Sequence, residues 1–245
     1  MSARKQLRRA LRLGVAGAVV AAGTYTGWAA ASWRRYGHPA APAAADRDEL
    51  LDRFMPIYDV VERHRIGVRA PADVTFSAAK EQDLLGVPAI RAIFKTRALV
   101  VGGAADQRPQ PRALLAQMQS LGWGVLAERP SREVVVGAVT RPWEANVTFR
   151  ALPPEDFAAF DEPGFVKIVW TLRVDSVGDE ASIFRTETRA VATDPLARVR
   201  FRRYWAFASA GIATIRFLSL RPLKREAERR AAGLAGEMVR SWSAF

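Results

Sequence analysis

The feature that most constrains the fold of this 245-residue chain is a change of hydrophobic period at Thr193-Asp194-Pro195. Before it, Gly164 to Asp175 places Val166, Ile168, Trp170, Leu172 and Val174 on one side and Lys167, Thr171, Arg173 and Asp175 on the other. A period of two is that of a strand with one buried face. Ala181 to Thr193, across the turn 176–180, repeats the pattern, with Phe184, Thr186, Thr188, Ala190 and Ala192 opposed to Arg185, Glu187 and Arg189. After it, Phe201, Trp205, Ala208, Ile212 and Ile215 recur every three or four residues, so one stripe of a helix is apolar, and Arg202, Arg203 and Arg216 fall to the other side. Asp194 before Pro195 supplies a capping side chain and a proline at the first helical position. A hairpin that runs straight into a long helix can bury its apolar face on that helix.

Upstream, Val60 to Arg69 reads as a strand. Helices are predicted from Pro71 to about Leu84, from Pro88 to Val101 with a stop at Gly102-Gly103, and from Arg112 to Leu121. Trp123 to Glu128 and Glu133 to Thr140 form a hairpin about Arg129-Pro130-Ser131, Asn146 to Ala151 is a further strand, and Pro153 to Phe160 is a loop or helical turn. Asp46 to about Tyr58 predicts a short lead-in helix through Leu50, Leu51, Phe54 and Ile57. Gly211 is expected to bend the last helix, and Pro222 to bend or interrupt it before Arg230. The fold class is α+β, with the folded domain over 49–230 and a tail over 231–245.

The front of the chain has a different character. Residues 1–12 are basic, 13–33 carry no charge, and 34–48 form an Ala/Pro spacer. Twenty-one helical residues span about 31 Å, close to a bilayer's hydrocarbon thickness. The expectation is a transmembrane anchor, with the N-terminus cytoplasmic and the domain outside because Arg4, Lys5, Arg8, Arg9 and Arg12 outnumber Arg34 and Arg35. The alternative is a signal segment cleaved near Ala29-Ala30-Ala31, releasing a secreted domain. Gly23 and Gly27 would let two anchors meet as a weak homodimer, a spacing that Ala/Gly-rich composition alone also produces. The net charge of +12 sits at the two ends, while the body between them is slightly acidic. That distribution argues against nucleic acid as a partner and for topology signals plus one cationic helix.

Chemistry-bearing constellations are scarce. The chain has no cysteine and two histidines, His38 and His64, neither with a partner at ligand spacing, so no metal site, cofactor or catalytic residue is assigned. His64 lies in the charged run Glu62-Arg63-His64-Arg65 and reads as a surface residue. Gly122-Trp123-Gly124 is not a phosphate loop, and no nucleophile elbow is present. Arg185, Glu187 and Arg189 suit ion pairs on one strand face.

The order strand, short helices, antiparallel strands and long C-terminal helix resembles the helix-grip fold of the START/Bet v 1-like superfamily, known as SRPBCC proteins. The parts that carry the likeness are Arg69-Ala-Pro-Ala-Asp-Val74, Thr186-Glu-Thr-Arg189, Thr193-Asp-Pro195, Tyr204-Trp205, Ile215-Arg216 and Ala227-Glu228, across about 58–230. The resemblance implies a curved antiparallel sheet of about six or seven strands wrapped around the last helix, with a cavity for lipids or other apolar molecules between them. Ile168, Trp170, Leu172, Phe184, Thr186 and Thr188 from the sheet, and Trp205, Ile212 and Ile215 from the helix, would line it or pack as solid core. The function so implied is a membrane-anchored protein that holds or transfers an apolar small molecule or lipid. The alternatives are a polyketide cyclase or dehydrase-like enzyme, or binding of anionic lipid or a partner through Arg200, Arg203, Arg221, Lys224 and Arg225.

Overall fold

The computed structural model describes residues 3–101 and 111–242; the stop expected at Gly102-Gly103 lies outside them. The helices are α1 (Ala3–Arg35), α2 (Glu49–Asp52), α3 (Ala72–Glu81), α4 (Pro88–Val101), α5 (Leu114–Ser120), α6 (Pro154–Phe157) and α7 (Pro195–Trp242). The strands are β1 (Val60–Val68), β2 (Gly124–Arg129), β3 (Glu133–Thr140), β4 (Phe149–Arg150), β5 (Val166–Ser176) and β6 (Ser182–Ala192). Among the described residues these six strands form one sheet in the order β1-β6-β5-β3-β2, with β4 paired to β3, and every pairing is antiparallel. With α7 lying along one face, the architecture is α+β and of helix-grip type.

The alternation in β5 and β6 sets that face. Trp170, Leu172, Val174 and Phe184 join Val134 and Val136 against Phe76 of α3 and Leu220, Leu223 and Ala227 of α7. Burying a side chain of this size contributes about 2–3 kcal/mol. The opposite face is covered as well: Leu50, Leu51, Phe54 and Met55 pack with Phe157 of α6 on Val135, Val139 and Val169. A strand buried on both faces loses its alternation, and β3, with Val134-Val135-Val136 at its start, is buried from end to end. Gly137 belongs to the same packing, since a Cβ there would come within 3 Å of Leu126 and Phe157 side-chain atoms.

Several expectations change. The lead-in helix over 46–58 shrinks to a 3-10 turn at Ala44–Asp46 and one turn of α2, capped by the Asp48 carboxylate on the Leu51 N–H at 2.9 Å. Pro56 disfavours helix at Met55, the residue before it. The strand over 146–151 reduces to β4. Pro222 does not interrupt α7, which is one helix to Trp242; Leu220, Leu223 and Ala227, buried on the sheet side, hold the turns about the proline. The 34–48 spacer is a strap. Tyr36 is buried against Phe201 and donates to Asp59, Ala40 and Arg47 carbonyls accept from Arg63 and Arg173, and Asp46 pairs with Arg185 at 2.6 Å.

The segment expected to be a transmembrane anchor is helical as part of α1, but among the described residues no helix is long and apolar enough to cross a membrane. Alanine and glycine occupy much of the stretch, which keeps its hydropathy low. Its second half rests on α7. The Tyr25 hydroxyl donates to the Phe207 carbonyl at 2.8 Å, Trp28 Nε1 to Ser209 Oγ at 3.0 Å, and Ser209 Oγ to Ser32 Oγ at 2.9 Å.

Candidate functional site

The residues predicted to line the grip fall on the face that meets α7. Trp170, Leu172 and Phe184 pack with Ile215 in one group, and Ile168 packs with Trp205 and Ile212 beside Phe201 in the adjoining one. Thr186 and Thr188 lie between the two groups on β6. They are opposite His64 and Glu62 of β1 in the strand register. A strand's side chains alternate, so Val60, Glu62, His64, Ile66 and Val68 share this face. His64 therefore lies inside the grip and not on the surface. The signal was present in the sequence, as two polar residues at even spacing within an apolar stripe.

Arg216 completes the cluster from the helix. Counting from Ile212 it is one turn on, at i+4, and so points to the sheet and not to the polar side expected for it. Its Nη2 donates to Thr188 Oγ1 at 3.0 Å, and its guanidinium lies 4.9 Å from the centre of the Trp170 ring. Desolvation lowers its pKa to about 10 against the opposing pull of Glu62, so it remains a cation at neutral pH. Burial raises the Glu62 carboxyl above its usual range, with Arg35 and Arg216 opposing. Burial and then Arg216 depress His64, whose ring is neutral at pH 7. The 3.8 Å approach of His64 Nε2 to Glu62 is accordingly not an ion pair there.

Two atoms of this cluster have no hydrogen-bond partner, His64 Nε2 and Thr186 Oγ1, although Thr186 is only 4% exposed. Buried polar groups are nearly always satisfied, and an orphan costs about 1–3 kcal/mol. The sheet opens beside them. Pairing of β5 with β6 runs to Trp170↔Thr188 and resumes at Arg173↔Arg185, leaving Thr171 and Leu172 outside the ladder, and the Glu187 N–H instead meets Thr171 Oγ1 at 3.4 Å. A cleft of about 190 Å³ on the outer face reaches this seam and is bordered by His64 and Thr186 as well as Arg63, Arg185 and Glu187. A fixed cation, a neutral imidazole and a free hydroxyl, with the Glu62 carboxyl beside them, form an arrangement suited to the polar end of a small molecule.

On the outer face the expected pairing of Glu187 with Arg189 forms, while Arg185 turns from Glu187 to Asp46 and Asp175. Arg189, 1% exposed, bonds Glu187 at 2.7 Å, Asp52 at 2.6 Å and the Met55 carbonyl at 2.7 Å, while Arg63 holds the other side of Glu187. Among the described residues no cluster of His, Asp or Glu has the makings of a metal site.

No family model matches the chain, and no curated protein matches it. Among solved structures it is similar to a hypothetical protein from Helicobacter pylori, with TM-score 0.37 and 8% identity over 77% of this chain and 99% of that one. A START superfamily protein from Mycobacterium smegmatis gives 0.26 and 11% over 71% and 98%. The Zhui aromatase/cyclase from a Streptomyces species gives 0.21 and 15% over 70% and 94%. These are distant likenesses of chain path, and the site is read from its own residues.

Proposed function

We propose that this protein binds one amphiphilic small molecule or lipid in the grip between the sheet and α7. The polar head meets Arg216, Thr186 and His64. The apolar body runs along Ile168, Trp170, Leu172, Phe184, Trp205, Ile212 and Ile215, with Thr188 holding Arg216 in place. The observation that carries this reading is the pair of unpartnered atoms, His64 Nε2 and Thr186 Oγ1, beside a desolvated arginine. A ligand oxygen would satisfy both atoms and meet the cation. The reading also places the chain at a membrane through α1, whose residues 13–33 carry no charge and whose Val15, Val19 and Val20 are exposed.

Native mass spectrometry of the full chain, purified from its own host in detergent and compared before and after organic extraction, tests this. The expected result is a discrete extractable mass bound one to one. An unchanged spectrum, together with no saturable adduct on adding a fatty acid, would overturn it.

A cyclase or dehydrase-like reading is favoured by one observation, the neutral His64 with an unpartnered Nε2, which in the Nδ1–H tautomer is the state a general base needs. Returning the extracted molecule to the stripped protein separates the two. Recovery of the same mass supports binding alone, and conversion that stops in His64→Gln supports catalysis.

A further inference from the structure

We propose that the outward face of α7, continuous with α1, docks on an anionic bilayer, so that the domain lies against the membrane surface. This rests on the reading that α1 attaches the chain to a membrane. Arg203, Phe207, Ala210, Thr214, Phe217 and Arg221 follow one another at spacings of three and four and form a single stripe pointing away from the sheet. Phe207 and Phe217 are 44% and 56% exposed, an unusual place for two phenylalanines on a helix whose other face is fully engaged. The stripe is apolar in the middle and cationic at each end.

Contact with α1 makes this surface larger. Tyr25 meets Phe207 edge-on, with ring centres 6.2 Å apart. Beyond it on α1 come Val20, Val19 and Val15, each more than half exposed. The charge of the region selects the occupant. No acidic residue occurs from 1 to 45 or from 195 to 225, while Arg200, Arg203, Arg221 and Arg225 are exposed. Lys224, on the same helix, is turned to the Gly67 carbonyl at 2.7 Å. Two copies of such a surface repel one another, whereas anionic headgroups neutralise the arginines while the aromatic rings enter the interface. The helix-to-helix contact sets Phe207 level with Tyr25, within the uncharged stretch of α1.

The chain has no cysteine, so single labels can be introduced without background. Full-length Val19→Cys, Phe217→Cys and Glu180→Cys, each carrying a bimane, would be reconstituted in vesicles of phosphatidylcholine with phosphatidylglycerol and quenched by brominated lipid or aqueous iodide. The labels at 19 and 217 are expected to be quenched by brominated lipid several-fold more than the label at 180 and to be shielded from iodide. Adding Arg203→Glu and Arg221→Glu should free the label at 217 and leave that at 19 unchanged. Quenching at 19 with 217 open to iodide would overturn docking and keep the attachment. No lipid quenching at either position would overturn both. Shielding at 217 from iodide without lipid quenching would identify a second copy as the occupant and overturn the proposal.

Discussion

Arg216 and Arg189 are two arginines on opposite faces of one sheet, and their partners separate their roles. Arg189 has every direction filled, by Glu187, Asp52, the Met55 carbonyl and the Tyr58 ring, which is what a structural ion pair needs to offset its desolvation. Arg189→Ala should cost about 3 kcal/mol in urea unfolding, because Glu187 keeps only Arg63 in a buried setting. Arg216 has one hydroxyl, one aromatic face and the attraction of the Glu62 carboxyl, and it stands beside atoms with no partner at all. Glu133 makes the same point about carboxylates. Burial first, and the neighbouring Asp48 second, raise its pKa to about 8, and its Oε1 has no hydrogen-bond partner. A folded pKa above the unfolded value means that the native state binds the extra proton between about 4.5 and 8, so stability falls as pH rises through that window. Glu133→Gln should therefore raise the Tm more at pH 9 than at pH 5, measured by calorimetry. An equal shift at both would contradict this assignment.

At the scale of elements, α7 depends on how it begins. Asp194 Oδ1 accepts the N–H groups of Leu196 and Ala197 at 2.8 and 3.0 Å, and Oδ2 accepts the Gly164 N–H, so one side chain caps the helix and ties it to the start of β5. Asp194→Ala should lower the Tm by a few degrees and Asp194→Asn by less, because Asn keeps the capping oxygen. This cap was legible in Thr193-Asp194-Pro195, as was the inward stripe of β5, because both follow from local periodicity and local chemistry. The polar half of the site is not legible in this way. Glu62-Arg63-His64-Arg65 looks like a solvated run until β1 is paired with β6, after which Glu62 and His64 face inward and Arg63 turns to Glu187. Arg216 is hidden for a related reason: a side chain one residue beyond Ile215, at i+4 from Ile212, lies on the edge of the apolar stripe of α7 and reads as polar until the helix meets the sheet. Pro222 marks the limit of propensity, since packing of Leu220 and Leu223 overrides it.

The whole molecule is a sheet gripped from both sides, and that doubling was the least visible feature in the sequence. Nothing in the Ala/Pro stretch before Asp46 announces a strap, because its contacts are a buried Tyr36, backbone carbonyls and one carboxylate, reached only after the sheet has formed. The unbroken burial of β3 was the available clue that a second layer exists. With α2 and α6 packed on part of the outer face and α3 and α7 on the inner one, the polar cluster around Arg216 departs from the apolar packing on either side of it. The central claim is that this cluster holds the head of an amphiphile. The most direct measurement is a titration of the extracted full chain with oleate, followed by native mass spectrometry, for the wild type, Arg216→Lys and Arg216→Gln. A saturable one-to-one adduct is expected, weakened at least about tenfold in Arg216→Gln and largely kept in Arg216→Lys, as loss of a charge-assisted hydrogen bond requires. Equal binding by all three proteins, or none by the wild type, would contradict the account.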